Sequence, residues 1–301
     1  MSYDIGPQYP KDRQLDHTGF LEAARKHQSR FRAERLNLPF QNYGNFLTPE
    51  DAKAGRNFYP GFGVLDAAQR RYPTVSEKVY GNMLRSEHIP LNLFHPLNAD
   101  DAFRLSVFST LLNRPMLSVG KVEVEYVPPL PATNYLNDRT SFDAYFEYRD
   151  IEGRTGLVGI EVKYTEREYP LEAGSKQERE VNDRTTPYFK VMADSRIYRE
   201  GCEADMITDE FRQIWRNQLL GESILLKHPD LFAHATLLTV FPEGNKHMTR
   251  ACSGYKEFLT SPEGKFVALT YERFIAVCRE YAPSKEFNDW LDYLQERYIV
   301  V

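Results

Sequence analysis

Cysteine is scarce in this sequence. The three residues present, Cys202, Cys252 and Cys278, form no C-x-x-C pair and have no neighbouring histidine pattern. Because disulfide frameworks and zinc sites both need grouped ligands, the sequence predicts neither. A reducing compartment fits best, and we expect a cytoplasmic protein.

Long apolar runs are also missing. The longest, such as the one at residues 235–241, are far shorter than the roughly 20 residues of a membrane-spanning helix. The first residues, MSYDIGPQYPKDRQLD, lack the basic start and apolar stretch of a secretory signal. We therefore expect no membrane association and no export.

Neither charge sign dominates, since 38 Lys and Arg stand against 43 Asp and Glu, for a net charge of −5. Coating nucleic acid non-specifically requires dense positive charge, so the net charge argues against that class of protein. An enzyme that holds nucleic acid on a local basic surface is not excluded. Internal repeats, low-complexity tracts and a G-x-x-x-x-G-K-[ST] phosphate loop are absent too.

Periodic segments predict a mixed sheet flanked by helices. Helical spacing occurs at residues 18–36, 74–84, 100–112, 209–227, 271–281 and 285–297. Strand patterns occur at residues 121–127, 141–149, 156–166, 234–241 and 265–269. The DIEGRT segment between the second and third strands predicts an antiparallel hairpin.

The two strands of the predicted hairpin carry acidic and basic residues that could form one site. Side chains two apart on a strand share a face, so Glu161 and Lys163 point the same way, opposite Ile160 and Val162. Alone, such a pair is typical of a solvated surface ion pair. A hairpin can bring Asp143 level with Glu161, and two close carboxylates repel unless a divalent cation lies between them. Mg²⁺ is the natural candidate, with Mn²⁺ as a substitute, and the lysine can orient the attacking water.

The series Asp143, a strand turn and then Glu161-Val162-Lys163 resembles the D…(D/E)-x-K signature of the PD-(D/E)XK nuclease superfamily. The segments SEHIPLNLFHPL, SFDAYFEY, GIEVKYTE and IWRNQLLGES resemble especially a bacterial group of restriction-endonuclease-like proteins. The resemblance runs from about Pro39 to the C-terminus. It implies an α/β (α+β mixed) fold with a restriction-endonuclease-like core, a central mixed four-stranded sheet flanked by helices.

The resemblance also implies roles for individual residues. Asp143 and Glu161 would bind the metal, the Val162 carbonyl could add a ligand, and Lys163 would act on the nucleophilic water. Phe142 stands where the motif has Pro, which weakens its specificity and leaves its chemistry intact.

Relatives often add an acidic residue from a preceding helix and a polar one from a following helix. Glu87 is the best match for the acid, with Glu77 as its rival, and either could be an ordinary surface charge. Gln218 is the match for the polar residue, although an amphipathic helix also explains it. Arg216 could contact a phosphate. His234 and His247 have no partner nucleophile and are expected to be structural.

We expect residues 1–70 to form an N-terminal extension wrapping the core and residues 71–301 to form the nuclease-like domain. The polar stretch from residue 167 to 186 and the residues after it carry interleaved basic and acidic side chains, which are equally typical of a mobile exposed loop. Our hypothesis is that this stretch closes over DNA, with Arg184 and Lys190 contributing to binding. Three functions compete: a DNA endonuclease in restriction or defence, a nuclease acting on RNA or on DNA ends in repair, and a non-catalytic nucleic-acid-binding relative. By analogy with enzymes that cut both strands of a duplex, a homodimer is one expectation.

Overall fold

The computed structural model describes residues 4–138, 140–167 and 170–300. Within these ranges the α-helices are α1 (Asp12–Leu15), α2 (Phe20–Arg30), α3 (Pro49–Lys53), α4 (Val64–Arg71), α5 (Ile89–Phe94), α6 (Asp101–Leu111), α7 (Lys176–Asn182), α8 (Pro187–Ser195), α9 (Glu203–Met206), α10 (Arg212–Lys227), α11 (Lys246–Glu257), α12 (Tyr271–Tyr281) and α13 (Lys285–Tyr298). Short π-helices lie at Phe31–Arg35 and Glu77–Gly81, and 3-10 helices at Ser86–His88, His95–Ala99 and Ala132–Asn134. None of the described helices combines the length and apolar character that crossing a membrane requires.

The strands of the described part form one mixed sheet. They are β1 (Met116–Val119), β2 (Glu123–Tyr126), β3 (Phe142–Asp150), β4 (Thr155–Val162), β5 (His234–Phe241) and β6 (Phe266–Thr270). Their order is β1-β3-β4-β5-β6, and β2 also pairs with β3. β3 is antiparallel to β4, whereas β5 is parallel to both β4 and β6. The strands β3 to β6 confirm the predicted four-stranded mixed core, and β1 and β2 extend it.

The connection between β3 and β4 is a tight turn. The Asp150 amide donates to the Arg154 carbonyl at 2.9 Å, and the Gly153 amide donates to the Asp150 carbonyl at 3.0 Å. Gly153 has φ +78°, a left-handed conformation that glycine adopts without a steric penalty. The predicted antiparallel hairpin is confirmed, and its pairing runs from Arg149 opposite Thr155 towards the other end of both strands.

Both faces of the sheet are covered. One face packs on an apolar cluster that contains Ile160 and Val162, and the other packs on a second cluster that contains Leu157. α10 packs over β4 and β5 on the second face. Glu161 and Lys163 therefore lie beneath a helix, and they are only 3% and 9% exposed. A solvated surface pair is excluded.

The N-terminal segment packs with the end of the chain. The Phe31 ring meets the Tyr293 ring edge-on at 5.5 Å, and the Phe20 ring lies 6.2 Å from that of Tyr164. All four side chains belong to the apolar cluster on the first face. The division at residue 70 stays a prediction.

Some elements differ from the sequence pattern. The helix predicted at residues 74–84 is confined to the π-helix Glu77–Gly81. It begins where the Ser76 hydroxyl accepts the Val79 amide and ends before the extended residue Asn82. Helices α4, α8 and α11 lie where the pattern predicts none, and α7 lies inside the predicted polar stretch, of which residues 168 and 169 are outside the described residues.

Candidate active site

Asp143 and Glu161 come together at one end of the β3–β4 hairpin. The last paired positions are Ala144 and Ile160, so the next residues on each strand are the two acids. Residues directly opposite on antiparallel strands project from one face about 5 Å apart. Asp143 Oδ2 also accepts the Val162 amide at 2.7 Å, which ties the aspartate to the glutamate's strand. The structure thus brings the predicted acid pair together.

Lys163 lies beside this pair. Its Nζ is 2.6 Å from Glu161 Oε1. Its amide donates to the Val240 carbonyl at 2.9 Å, and its carbonyl accepts the Tyr271 hydroxyl at 2.6 Å. The lysine backbone is therefore fixed by β5 on one side and by α12 on the other.

Two amides on α10 also reach the pair, and sequence reasoning missed both. Gln213 Nε2 donates to Glu161 Oε1 at 2.5 Å, and Asn217 Nδ2 donates to Glu161 Oε2 at 2.5 Å. Because residues four apart lie on one face of a helix, both side chains reach the same carboxylate. The signal was present in FRQIWRNQLL as two amides at that spacing.

The structure does not bring Gln218 to the acid pair. Its Nε2 donates to Glu222 Oε1 at 3.2 Å, and Glu222 in turn pairs with Lys265 at 3.2 Å. Gln218 follows Asn217 directly, so it points about 100° away around the helix. The polar side chains that α10 supplies to the pair are Gln213 and Asn217, which corrects the expectation from the sequence.

Burial and neighbouring charges shift the pKa values of Asp143 and Lys163. Burial, and then the charge of Glu161, raise the pKa of Asp143 well above its ordinary value, more than Lys163 and the Val162 amide lower it. Burial opposes the charged form of Lys163, but the charges of Glu161 and Asp143 outweigh it and raise the lysine pKa. At neutral pH without a metal the lysine is an ammonium, and the Asp143 carboxyl favours a bound proton or a cation.

Glu87 lies near the pair. It lines the same cavity as Asp143 and Lys163, and its carboxylate pairs with Arg85 at 2.5 Å. Glu77, the rival candidate, is exposed on its π-helix and does not line that cavity. Between the two acids, the structure brings Glu87 close to the predicted site.

Two cavities meet at the acid pair, since Asp143, Glu161 and Gln213 line both. The first has a volume of about 470 Å³ and extends towards Tyr188 on α8. The second has a volume of about 430 Å³ and extends towards Glu87. Both cavities therefore border the acid pair.

Positively charged side chains line both cavities. Arg216 and Lys176 line the first, and Arg216 Nη2 lies 2.6 Å from Asp138 Oδ2. The cations of the second cavity are Lys78, Arg85, Lys163 and Arg167. Arg184 and Lys190 line two other clefts, away from the acid pair. Their contact with DNA stays a prediction.

The residues at the pair fit a hard divalent cation. Within the described ranges, no group of three or more His, Cys, Asp or Glu is arranged to hold a metal ion. Asp143 Oδ1 receives no hydrogen bond from the described residues, so this oxygen is available as a ligand. Mg²⁺ typically takes one or two protein carboxylates and completes its shell with water and phosphate oxygens. The ligand role of the Val162 carbonyl stays a prediction.

Other candidates from the sequence have local structural partners. His234 Nε2 lies 3.1 Å from Asp150 Oδ2, and His247 Nε2 lies 3.1 Å from Asp16 Oδ1. Neither histidine lines the cavities at the acid pair. These contacts agree with the structural role expected from the sequence.

The β3–β4 hairpin presents Asp143, Glu161 and Lys163 beneath α10, within a mixed sheet. The D…(D/E)-x-K signature implies this fold and this arrangement of residues. A family model of the PD-(D/E)XK nuclease superfamily matches residues 12–300, nearly the whole chain. The chain belongs to this superfamily, and its membership indicates a metal-dependent nuclease. No curated protein and no solved structure matches the chain.

Proposed function

We propose that this protein is a Mg²⁺-dependent endonuclease that hydrolyses phosphodiester bonds of DNA in restriction or another defence pathway. The observation that carries the proposal is the meeting of Asp143, Glu161 and Lys163 where two cavities join. Membership of the nuclease superfamily supports the reaction class. Mn²⁺ is expected to replace Mg²⁺.

The carboxylates of Asp143 and Glu161 would hold the ion, with the Val162 carbonyl as a further ligand. A divalent ion held by these residues would lower the pKa of a bound water and polarise a phosphoryl oxygen. Lys163 would have a separate role. The Lys163 side chain, whose Nζ lies 2.6 Å from Glu161 Oε1, would orient the attacking water and, as an ammonium, offset the charge that develops on the phosphate.

Gln213 and Asn217 hold Glu161 in place. Each donates to a different oxygen of that carboxylate, so its plane and its distance from Lys163 are both fixed. Positioning of this kind contributes to the affinity of metal sites.

The two cavities on either side of the acid pair would take the substrate strand. Arg216 and Lys176 line one side of the acid pair, while Lys78 and Arg85 line the other. Phosphate groups on both sides of the scissile bond would therefore compete for these cations with the carboxylates of Asp138, Glu180 and Glu87. Such contacts fix the register of a strand and do not read its sequence.

Restriction or defence is proposed from the resemblance of the segments SEHIPLNLFHPL and IWRNQLLGES to the bacterial group. A homodimer would place two acid pairs across a duplex, one for each strand. Light scattering of the purified protein, alone and with duplex DNA, tests the dimer separately from the activity.

The activity is tested with closed circular plasmid, linear duplex DNA and RNA, each with Mg²⁺, Mn²⁺ or a chelator. Nicking of closed circles that requires the metal supports the endonuclease. Degradation of linear DNA alone indicates an exonuclease, and loss of RNA alone indicates the second function. Binding of DNA without cleavage under every condition favours the non-catalytic relative.

Lys163→Ala is the first variant to make. We expect cutting to fall by about a hundredfold or more, because an electrostatic contact to the reacting phosphate is removed, while the fold and DNA binding remain. Lys265→Ala is the matched control, since Lys265 pairs with the buried carboxylate of Glu222 outside both cavities. Equal rates for Lys163→Ala and the parent would remove the lysine from the mechanism.

A further inference from the structure

A cleft separate from the two cavities at the acid pair lies beside α8 and is lined by three arginines, and we call it the arginine cleft. Its volume is about 510 Å³, and Arg184, Arg196 and Arg199 line it. All three are exposed, and none forms an ion pair with a carboxylate of the described residues. Glu200 and Glu203 also line the cleft, which leaves an excess of one positive charge. The cleft offers three guanidinium groups to an anionic ligand.

The cleft is one helix away from the acid pair. Tyr188 and Phe189 are neighbours on α8, and both rings pack on Trp215, at 5.7 Å and 5.4 Å. Tyr188 lines the first cavity at the acid pair, whereas Phe189 lines the arginine cleft. A helix is about 10 Å wide. Because nucleotides of one duplex strand are spaced about 3.4 Å apart along the helix axis, the cleft lies about three nucleotides from the acid pair.

The cleft suits phosphate better than a base. The Arg184 guanidinium lies over the Phe189 ring at 4.4 Å, so that ring face is already covered. Stacking a base requires a free aromatic face. Arg199 is held by its Nε, which donates to the Leu259 carbonyl at 3.3 Å, and its terminal nitrogens are left for a ligand. Guanidinium groups match phosphate oxygens in pairs.

We propose that this arginine cleft binds the phosphate backbone of the DNA substrate beyond the scissile bond. The inference rests on the proposed nuclease function, because the ligand is the substrate of that site. The cleft anchors the flanking duplex and takes no part in the chemistry. Its loss therefore weakens binding and leaves the rate of cutting of bound DNA unchanged.

The test measures binding of a fluorescent 20-base-pair duplex by anisotropy, in a Lys163→Ala background and in chelator, so that cutting is suppressed during the measurement. The variant Arg184→Gln/Arg196→Gln/Arg199→Gln is compared with Arg30→Gln/Arg56→Gln/Arg149→Gln, which removes three exposed arginines outside the cleft. Glutamine keeps a long polar side chain, so both variants are expected to fold.

We expect the cleft variant to weaken binding about tenfold or more at moderate salt, well beyond the control. The slope of log affinity against log salt should flatten by up to about three, since each phosphate contact contributes about 0.9. Conversely, Glu200→Gln/Glu203→Gln should tighten binding. In the background with Lys163 intact, single-turnover cutting at saturating protein should match the parent.

Equal binding by the cleft and control variants, with a parent that still cuts DNA, overturns the cleft alone. A parent that neither binds nor cuts nucleic acid overturns the proposed function and this inference with it. The same binding assay is repeated with a polyglutamate peptide of similar charge. If the cleft variant weakens binding of the peptide as much as binding of DNA, the cleft binds anions in general and the assignment to DNA is wrong.

Discussion

The two ends of the β3–β4 hairpin each carry an aspartate, and the two have opposite environments. Asp150 accepts hydrogen bonds from the Glu152 and Arg154 amides, from the Arg154 guanidinium and from His234. Burial opposes ionisation, but these donors outweigh it and lower the pKa of Asp150. This aspartate is a satisfied structural anion.

Asp143, at the other end, accepts one hydrogen bond from the described residues, from the Val162 amide. Burial and the neighbouring charge of Glu161 raise its pKa. The same residue type in one hairpin is thus stabilised as an anion at the turn and destabilised at the open end. A carboxylate that the protein leaves short of donors is suited to bind a cation supplied from solution.

The largest expected effect separates the two aspartates by activity. Asp143→Asn should reduce cutting by about a thousandfold or more, because a metal ligand that supplies several kcal/mol of transition-state stabilisation is lost. Asp150→Asn should leave the turnover of folded protein near that of the parent. Initial rates of plasmid nicking, corrected for the folded fraction, give the comparison.

Stability should change in the opposite sense. Asp143→Asn removes charge repulsion and should raise the metal-free Tm, whereas Asp150→Asn loses several hydrogen bonds and should lower it. If Asp143→Asn cuts as well as the parent, or if Asp150→Asn loses turnover while remaining folded, the contrast between the two ends is wrong.

The next effect tests how Glu161 is held. The double variant Gln213→Ala/Asn217→Ala removes both amide donors, and we expect a loss of about ten- to hundredfold in metal affinity or activity. Gln218→Ala, on the same helix, is the matched control and should cut like the parent. Titration of Mg²⁺ against the cutting rate separates affinity from maximal rate. A larger loss for Gln218→Ala would restore the role expected from the sequence.

This contrast shows what the sequence could predict of the site. Asp143, Glu161 and Lys163 could be placed together because strand periodicity and one short turn fix their register. Gln213 and Asn217 could not be chosen over Gln218, because the rotation of a helix on a sheet depends on tertiary packing. Trp215 and Leu219 set that rotation here by burying themselves completely.

The same limit applies to the fold. The strand at residues 234–241 and the helix at residues 271–281 have the bounds that their patterns predict, since both are strongly apolar on the buried side. α8 was not predictable from periodicity, because its charge-rich approach resembles a loop and its Pro187 start is a weak signal. β1 is short and at a sheet edge, so few of its residues carry a pattern.

A smaller effect on the cutting rate is expected at Glu87, beside the end of the hairpin that carries Asp143. Glu87→Gln should reduce cutting by about tenfold, since Glu87 lines the second cavity beside Asp143 and Lys163 and adds to the charge that attracts a cation. Glu77→Gln, at an exposed acid outside the cavity, is the control. Cutting rates at limiting and saturating Mg²⁺ distinguish a weaker metal site from slower chemistry. Equal rates for both variants would leave Glu87 as a surface charge paired with Arg85.

The smallest effect is the pH dependence of stability, and it has opposite signs at the two ends. Because the pKa of Asp143 is raised in the folded protein, the folded state binds more protons than the unfolded chain above the ordinary pKa of 3.8. Its contribution to stability therefore falls as pH rises through that window. Asp150 has a lowered pKa, so its contribution is lost as pH falls below 3.8.

We therefore expect the Tm of the parent, measured in chelator from pH 3 to pH 8, to decline towards both ends of the range. Asp143→Asn should lose the decline at higher pH, and Asp150→Asn should lose the decline at lower pH. The slope from one group is at most about 1.4 kcal/mol per pH unit. Mg²⁺ should raise the neutral Tm of the parent and of Asp150→Asn, because the cation replaces the proton at the open end, and it should have little effect on Asp143→Asn. A parallel Mg²⁺ response in all three proteins would mean that the ion binds elsewhere.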